Sequence, residues 1–191
     1  MARANGERLK DALCIAGAFV SVLYIVMITD RVFRLDLNQY GILPRSKSGL
    51  IGIVFSPLLH GGLGHLIANT LSLFILMTIL FWDKRYQPAS TLALIWAASG
   101  LGTWLIGRAD GPHGPTVHIG ASGVIYGLIT YLIAAGFWMR SWRAAFIAVL
   151  VFLFYGGAAF GVLPRDGMVS WEGHLCGAIA GIWAAWGQHA K

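Results

Sequence analysis

Six stretches of the chain are almost unbroken in apolar residues: 12–29, 66–82, 90–107, 122–138, 143–160 and 173–189. Each approaches the ~20 residues that an α-helix needs to cross the hydrocarbon core of a bilayer. A soluble chain this small has too much surface to hide six such helices from water. The pattern therefore predicts an all-α membrane protein, a bundle of six transmembrane helices.

The polar breaks are uneven. Connections 83–89, 108–121, 139–142 and 161–172 are short or moderate, whereas 30–65 is long. It contains LPRSKSGLIGIVFSPLLHGGLGH, apolar in patches but broken by Pro44, Pro57, Gly61, Gly62 and Gly64. An apolar piece of that length cannot span, so it is expected to lie in the interface or to dip into the bilayer against other helices. With no linker, low-complexity tract or clear repeat, residues 1–191 are read as one domain with a long membrane-associated first loop.

Composition agrees: 57% of residues are hydrophobic and 12% charged, about half the charge of a soluble domain. Stretch 12–29 follows a short basic leader, but it lacks an A-x-A-like cleavage site and is long for a signal peptide, which predicts a retained span. Six crossings put both termini on one side. Arg3, Arg8, Lys10, Lys84, Arg85, Arg140, Arg143 and Lys191 then share the terminal side, against Arg31, Arg34, Arg45, Lys47, Arg108 and Arg165 opposite. Eight against six favours termini in the cytoplasm of a plasma-membrane protein. The net charge of +6 is assigned to topology and lipid contact; no basic run interleaved with aromatics points to nucleic acid. Trp82, Trp138, Trp142, Trp171 and Trp186 fall near span ends, as in an interfacial belt. Cys14 and Cys176 lie within spans, far from any C-x-x-C or His/Cys cluster, and read as small apolar fillers.

Ionisable and amide side chains at membrane depth are costly and tend to be functional. His60, His65, Asn69, Ser122, Tyr126 and His174 make up the short list. Asp110, Asp166 and Glu172 fall in loops or at a span margin, so no carboxylate is expected to be plainly buried and acid–base chemistry must rest on histidine. His65 and Asn69, four apart, share a face of the second span, with His60 just before it. Taken singly, each of these polar groups is better explained by helix capping or interfacial water. No H-E-x-x-H occurs and no acid completes a set with His60 and His65, so neither metal nor cofactor is expected.

Small residues supply the remaining clue. Gly173, Gly177 and Gly181 recur every four positions in the last span, and Gly123 and Gly127 form a matching pair in the fourth. Small-xxx-small faces let membrane helices approach closely. If the two seams meet, Ser122 and His174 come within hydrogen-bond reach with the Tyr126 ring beside the imidazole, a nucleophile and its base. The stretch HIGASGVIYG (118–127) is no nucleophile elbow, because Val124 stands where G-x-S-x-G needs glycine.

These residues together resemble the rhomboid intramembrane serine proteases. H-x4-H-x3-N is met by His60, His65 and Asn69, G-x-S-G by Gly120, Ser122 and Gly123, and G-H-x-x-G by Gly173, His174 and Gly177, in family order on the second, fourth and sixth spans. The resemblance implies a Ser122–His174 dyad. It further implies an oxyanion held by the Ser122 backbone N–H with His65 and Asn69, support from His60, room for substrate at Gly120, and Tyr126 packed on the imidazole. Implied substrates are transmembrane protein segments, reached from the extracytoplasmic side. Glu172, two residues from His174, is not expected to complete a triad. The Trp-Arg pair that many members carry in the first loop is absent. Two rival classes are weighed against this. A catalytically silent escort for membrane helices would generally have lost the Ser or the His, and a channel or transporter would favour symmetrical broken helices and mid-membrane charges.

Overall fold

A computed structural model of the chain describes residues 2–111, 114–164 and 169–190, with side chains from residue 6 onward. Arg165, Asp166 and Lys191 lie outside them. Seven α-helices are formed among the described residues: α1 (Ala2–Phe33), α2 (Gly52–Phe55), α3 (Leu63–Trp82), α4 (Pro88–Ile106), α5 (Ser122–Trp138), α6 (Trp142–Tyr155) and α7 (Trp171–His189).

Four segments are long and apolar enough to cross a bilayer: Gly6–Phe33, Leu63–Trp82, Lys84–Ile106 and Trp142–Val162, the last being α6 continued by a 3₁₀ turn. The two remaining predicted spans coincide with α5, of 17 residues, and with α7, whose first turn carries Glu172 and His174. The reason is position. α5 packs on α7 and α6, α7 also on α4, and α1 on α3. A helix face turned to other helices rather than lipid can trade apolar bulk for glycine and polar side chains; α5 does so over most of its surface, and α7 on its inward face, with Ile179, Ile182, Trp183 and Trp186 left exposed on the other. Leu128, Tyr131 and Leu132 of α5 are fully enclosed, in one core with Leu66, Leu73 and Leu76 of α3 and Ile95 of α4. Trp82, Trp138, Trp142 and Trp171 are the terminal residues of their helices.

The long first connection folds into short turns, 3₁₀ at Leu37–Tyr40, Ser48–Leu50 and Ser56–Leu58 around the single turn of α2. Its anchorage, for which no Trp-Arg pair is available, comes from α4. The Trp96 indole N–H reaches the carbonyls of Ile53 and Val54, both at 3.1 Å, and the Trp104 indole donates to the Ser46 carbonyl at 2.9 Å. The Arg45 guanidinium donates to the carbonyls of Leu105 (3.0 Å) and Gly107 (2.8 Å) at the end of α4, where a helix leaves acceptors unpaired and favours a cation.

Two departures from the sequence reading stand out. Connection 108–121 contains a small antiparallel ribbon, Asp110–Gly111 with Gly114–Pro115, and extends through a main-chain bridge between His118 and Ile42. Glu172 is a buried carboxylate, 2% exposed. At the first turn of α7 it can be enclosed because Arg108, from the neighbouring connection, comes within 3.3 Å of it, and a buried charge needs such a partner.

Candidate active site

The glycine seams of α5 and α7 meet. A β-carbon on Gly177 would stand 1.9 Å from the Gly123 carbonyl oxygen, and one on Gly181 would stand 2.0 Å from that of Gly127. In the other direction, β-carbons on Gly123 and Gly127 would lie 3.2 and 3.0 Å from the carbonyls of Gly173 and Gly177. No side chain larger than hydrogen fits at Gly177 or Gly181 without moving a helix.

At the end of this seam, His174 Nε2 lies 2.9 Å from Ser122 Oγ. The other ring nitrogen, Nδ1, is 3.0 Å from the Gly161 carbonyl oxygen. A carbonyl only accepts, so Nδ1 carries the proton and Nε2 is left as acceptor for the serine hydroxyl. The Tyr126 ring, one turn beyond Ser122, lies parallel to the imidazole, with centroids 4.1 Å apart and planes 7° apart. The base is held by a backbone carbonyl at its edge and by an aromatic ring on its face, while Glu172 turns to Arg108.

The second constellation comes from the start of α3. Asn69 is buried, and its amide nitrogen lies 3.1 Å from His60 Nε2. His60 and His65 meet edge to face, with centroids 5.1 Å apart. Gly120 faces this constellation: a β-carbon there would stand 2.6 Å from His65 Cε1 and 3.8 Å from Asn69 Nδ2. Its φ of 112° is one that L-residues rarely adopt. Glycine at 120 thus serves the close approach and the turn into α5 at once.

His65, Asn69, Ser122, Tyr126 and His174 all line one groove of about 620 Å³, closed further by Ile125, Ile129, Tyr155 and Val169. A smaller hollow, about 30 Å³, lies on the other side of Ser122, with Ser56, Ser99, Thr103 and His118 in its wall. Of the residues singled out from the sequence, Gly123, Gly127, Gly173, Gly177 and Gly181 form the seam and five line the groove, while Gly120 lines the smaller hollow and His60 meets Asn69 and His65. Among the described residues no group of three or more His, Cys, Asp or Glu gathers as a metal cluster would. Cys14 is exposed and Cys176 buried, both as free thiols.

The family model of the Rhomboid domain matches residues 47–191. This chain belongs to the rhomboid family. Among curated proteins, an uncharacterized protein of Mycobacterium tuberculosis is 42% identical over 173 residues, 88% of this chain and 71% of the relative. Another of Mycobacterium leprae is 40% identical over 172 residues, 88% and 68%. A RHOMBOID-like protein of Arabidopsis thaliana is 29% identical over 130 residues, 65% of this chain and 40% of the relative. With its long apolar helices, this rhomboid is a multi-pass membrane protein.

Three contributors to the site were not singled out from the sequence. Gly161 acts through its main chain, which leaves no trace in residue type. Ser170 caps α7 by accepting from Gly173 N–H at 3.3 Å, and its position four before His174 is a signal that a capping search would have found. His118 opens the quoted stretch HIGASGVIYG, but its partners are distant in sequence.

Proposed function

We propose that this rhomboid is an intramembrane serine endopeptidase that cleaves transmembrane segments of membrane proteins through a Ser122–His174 dyad and an acyl-enzyme. The observation carrying the reading is the 2.9 Å contact between Ser122 Oγ and His174 Nε2, with the tautomer selected at Nδ1 by Gly161. Ser122 Oγ attacks the scissile carbonyl as Nε2 takes its proton, and the same nitrogen returns that proton to the leaving amine. The oxyanion forms against the Ser122 backbone N–H and the side chains of His65 and Asn69, with His60 holding Asn69. Water then attacks the acyl carbon with His174 again as base. The hollow behind Ser122 exceeds the ~10–15 Å³ that one water requires and offers it hydroxyl partners.

The site suits a substrate locally unwound from its helix, since a helical backbone has no free extended bond to present. α5 and α7 complete six crossings with the four outer spans, and the Lys/Arg balance sets both termini in the cytoplasm. The groove then opens toward the extracytoplasmic side of the plasma membrane.

A fluorophosphonate probe tests this on purified protein. Wild type is labelled, Ser122→Ala is not, and His174→Ala is labelled far more slowly. Asn69→Ala folds but reacts slower by up to ~10²–10³, the worth of one oxyanion donor. Undiminished labelling of Ser122→Ala removes the nucleophile. A folded wild type that stays unlabelled yet binds membrane helices supports the silent escort instead.

A further inference from the structure

The dyad has a second rung beside it. His118 Nδ1 lies 2.6 Å from Ser170 Oγ, just as His174 Nε2 lies 2.9 Å from Ser122 Oγ. Each member of the first pair stands four residues before a member of the second, so both pairs join positions 52 apart in the chain.

We propose that His118 is a positioning residue for the dyad, locking the segment that leads into Ser122 to the first turn of the helix that carries His174. The inference rests on the proteolytic reading of the site. His118 is 4% exposed, and both ring nitrogens are used. Nε2 is 2.9 Å from the Arg108 carbonyl oxygen, an acceptor only, so Nε2 carries the proton and Nδ1 accepts from the Ser170 hydroxyl. The Ser170 oxygen in turn accepts Gly173 N–H at the start of α7. Every donor in this chain has one acceptor, and the direction is fixed throughout. Burial lowers the His118 pKa, in keeping with the neutral ring that the pattern requires.

The main chain of the same residue completes the lock. His118 N–H donates to Ile42 O at 2.8 Å, Ile42 N–H returns a bond to His118 O at 2.9 Å, and Gly120 N–H donates to Ser56 O at 2.8 Å. The Arg108 guanidinium ties this segment to Glu172 of α7 at 3.3 Å and to the Val169 carbonyl just before that helix. The first loop and the approach to the nucleophile thus meet at the main chain of His118, and the helix of the base is joined to them through its imidazole. Removing it leaves the fold its seams but frees the dyad to drift, and a 1 Å misplacement of reacting groups costs ~10²-fold in rate.

Saturation kinetics of fluorophosphonate labelling separate probe binding from the rate of chemistry, with thermal unfolding in the same detergent as the control for fold. His118→Ala is expected to lower the limiting labelling rate by about 10- to 100-fold while probe affinity changes less than about twofold. His118→Asn, whose side-chain oxygen can accept the Ser170 hydroxyl, recovers a large part of that rate. Ser170→Gly keeps a residue well suited to the helix cap yet loses the donor, so its rate falls as in His118→Ala, and it decides the matter if His118→Ala does not fold. Wild-type labelling rates in His118→Ala and Ser170→Gly overturn the proposal, as does an asparagine variant no faster than the alanine one. A wild type that does not label removes the proteolytic reading itself, and this inference with it.

Discussion

α5 and α6 follow each other in the chain and both coincide with apolar stretches, yet they are used in opposite ways. α5 buries Val124, Ile125, Leu128, Tyr131 and Leu132 and brings its glycines against α7. α6 buries only Ala144, Ala148 and Val151, while Phe152, Leu153 and Phe154 stand 61%, 71% and 80% exposed. The bulkier helix meets lipid, and the one that surrenders bulk bears the nucleophile. In a bilayer, apolar side chains gain nothing by leaving lipid for another helix, so close backbone approach takes the role that hydrophobic burial plays in water. Chemistry belongs where backbones are close, because only there are polar groups shielded from lipid and held in place.

The sharpest way to break the contrast is to add bulk to the inner seam. Gly177→Val places carbon where the Gly123 carbonyl already stands 1.9 Å from a β-carbon. Overpacking of that kind costs about 1–3 kcal/mol, and separating α5 from α7 should lower fluorophosphonate labelling by ~10²-fold or more, with a lower unfolding midpoint. Wild-type labelling there would show that the seam does not position the dyad. A smaller effect is expected from Gly161→Ala. Its β-carbon would meet the Tyr126 hydroxyl at 1.7 Å, pushing the carbonyl off His174 Nδ1 and slowing labelling by about tenfold, a part of the ~10²–10⁴ that a general base contributes. Adding Tyr126→Phe removes that nearest atom and should restore part of the rate; no restoration would place the fault elsewhere. The least effect belongs to the outer face. Phe154→Ala should leave labelling unchanged and stability within about 0.5 kcal/mol, read as the unfolding midpoint in one detergent.

Much of this was legible before any coordinates. The bounds of α3, α4, α5 and α7 lie within three residues of the apolar stretches that announce them, because each stretch is bounded by polar, glycine or proline residues that interrupt its apolar run. The meeting of Gly123 and Gly127 with Gly177 and Gly181 was legible too, since four-residue spacing of small side chains has one use between membrane helices. Glu172 misled for a related reason: at a span margin a carboxylate reads as solvated, and nothing local announces that Arg108 will cover it. The anchorage of the first loop was equally silent, being made by indole and guanidinium groups of one segment on carbonyls of another.

By itself, then, the sequence determined an apolar helical membrane protein, the helices that bear the polar residues, and which faces can come close, all from periodicity within single helices. Only the tertiary structure decided which nitrogen of His174 holds its proton, what encloses Glu172, and how His118 joins three distant segments. Those outcomes depend on main-chain carbonyls and long-range partners. A carbonyl is common to every residue type, so its use cannot be written in the order of side chains.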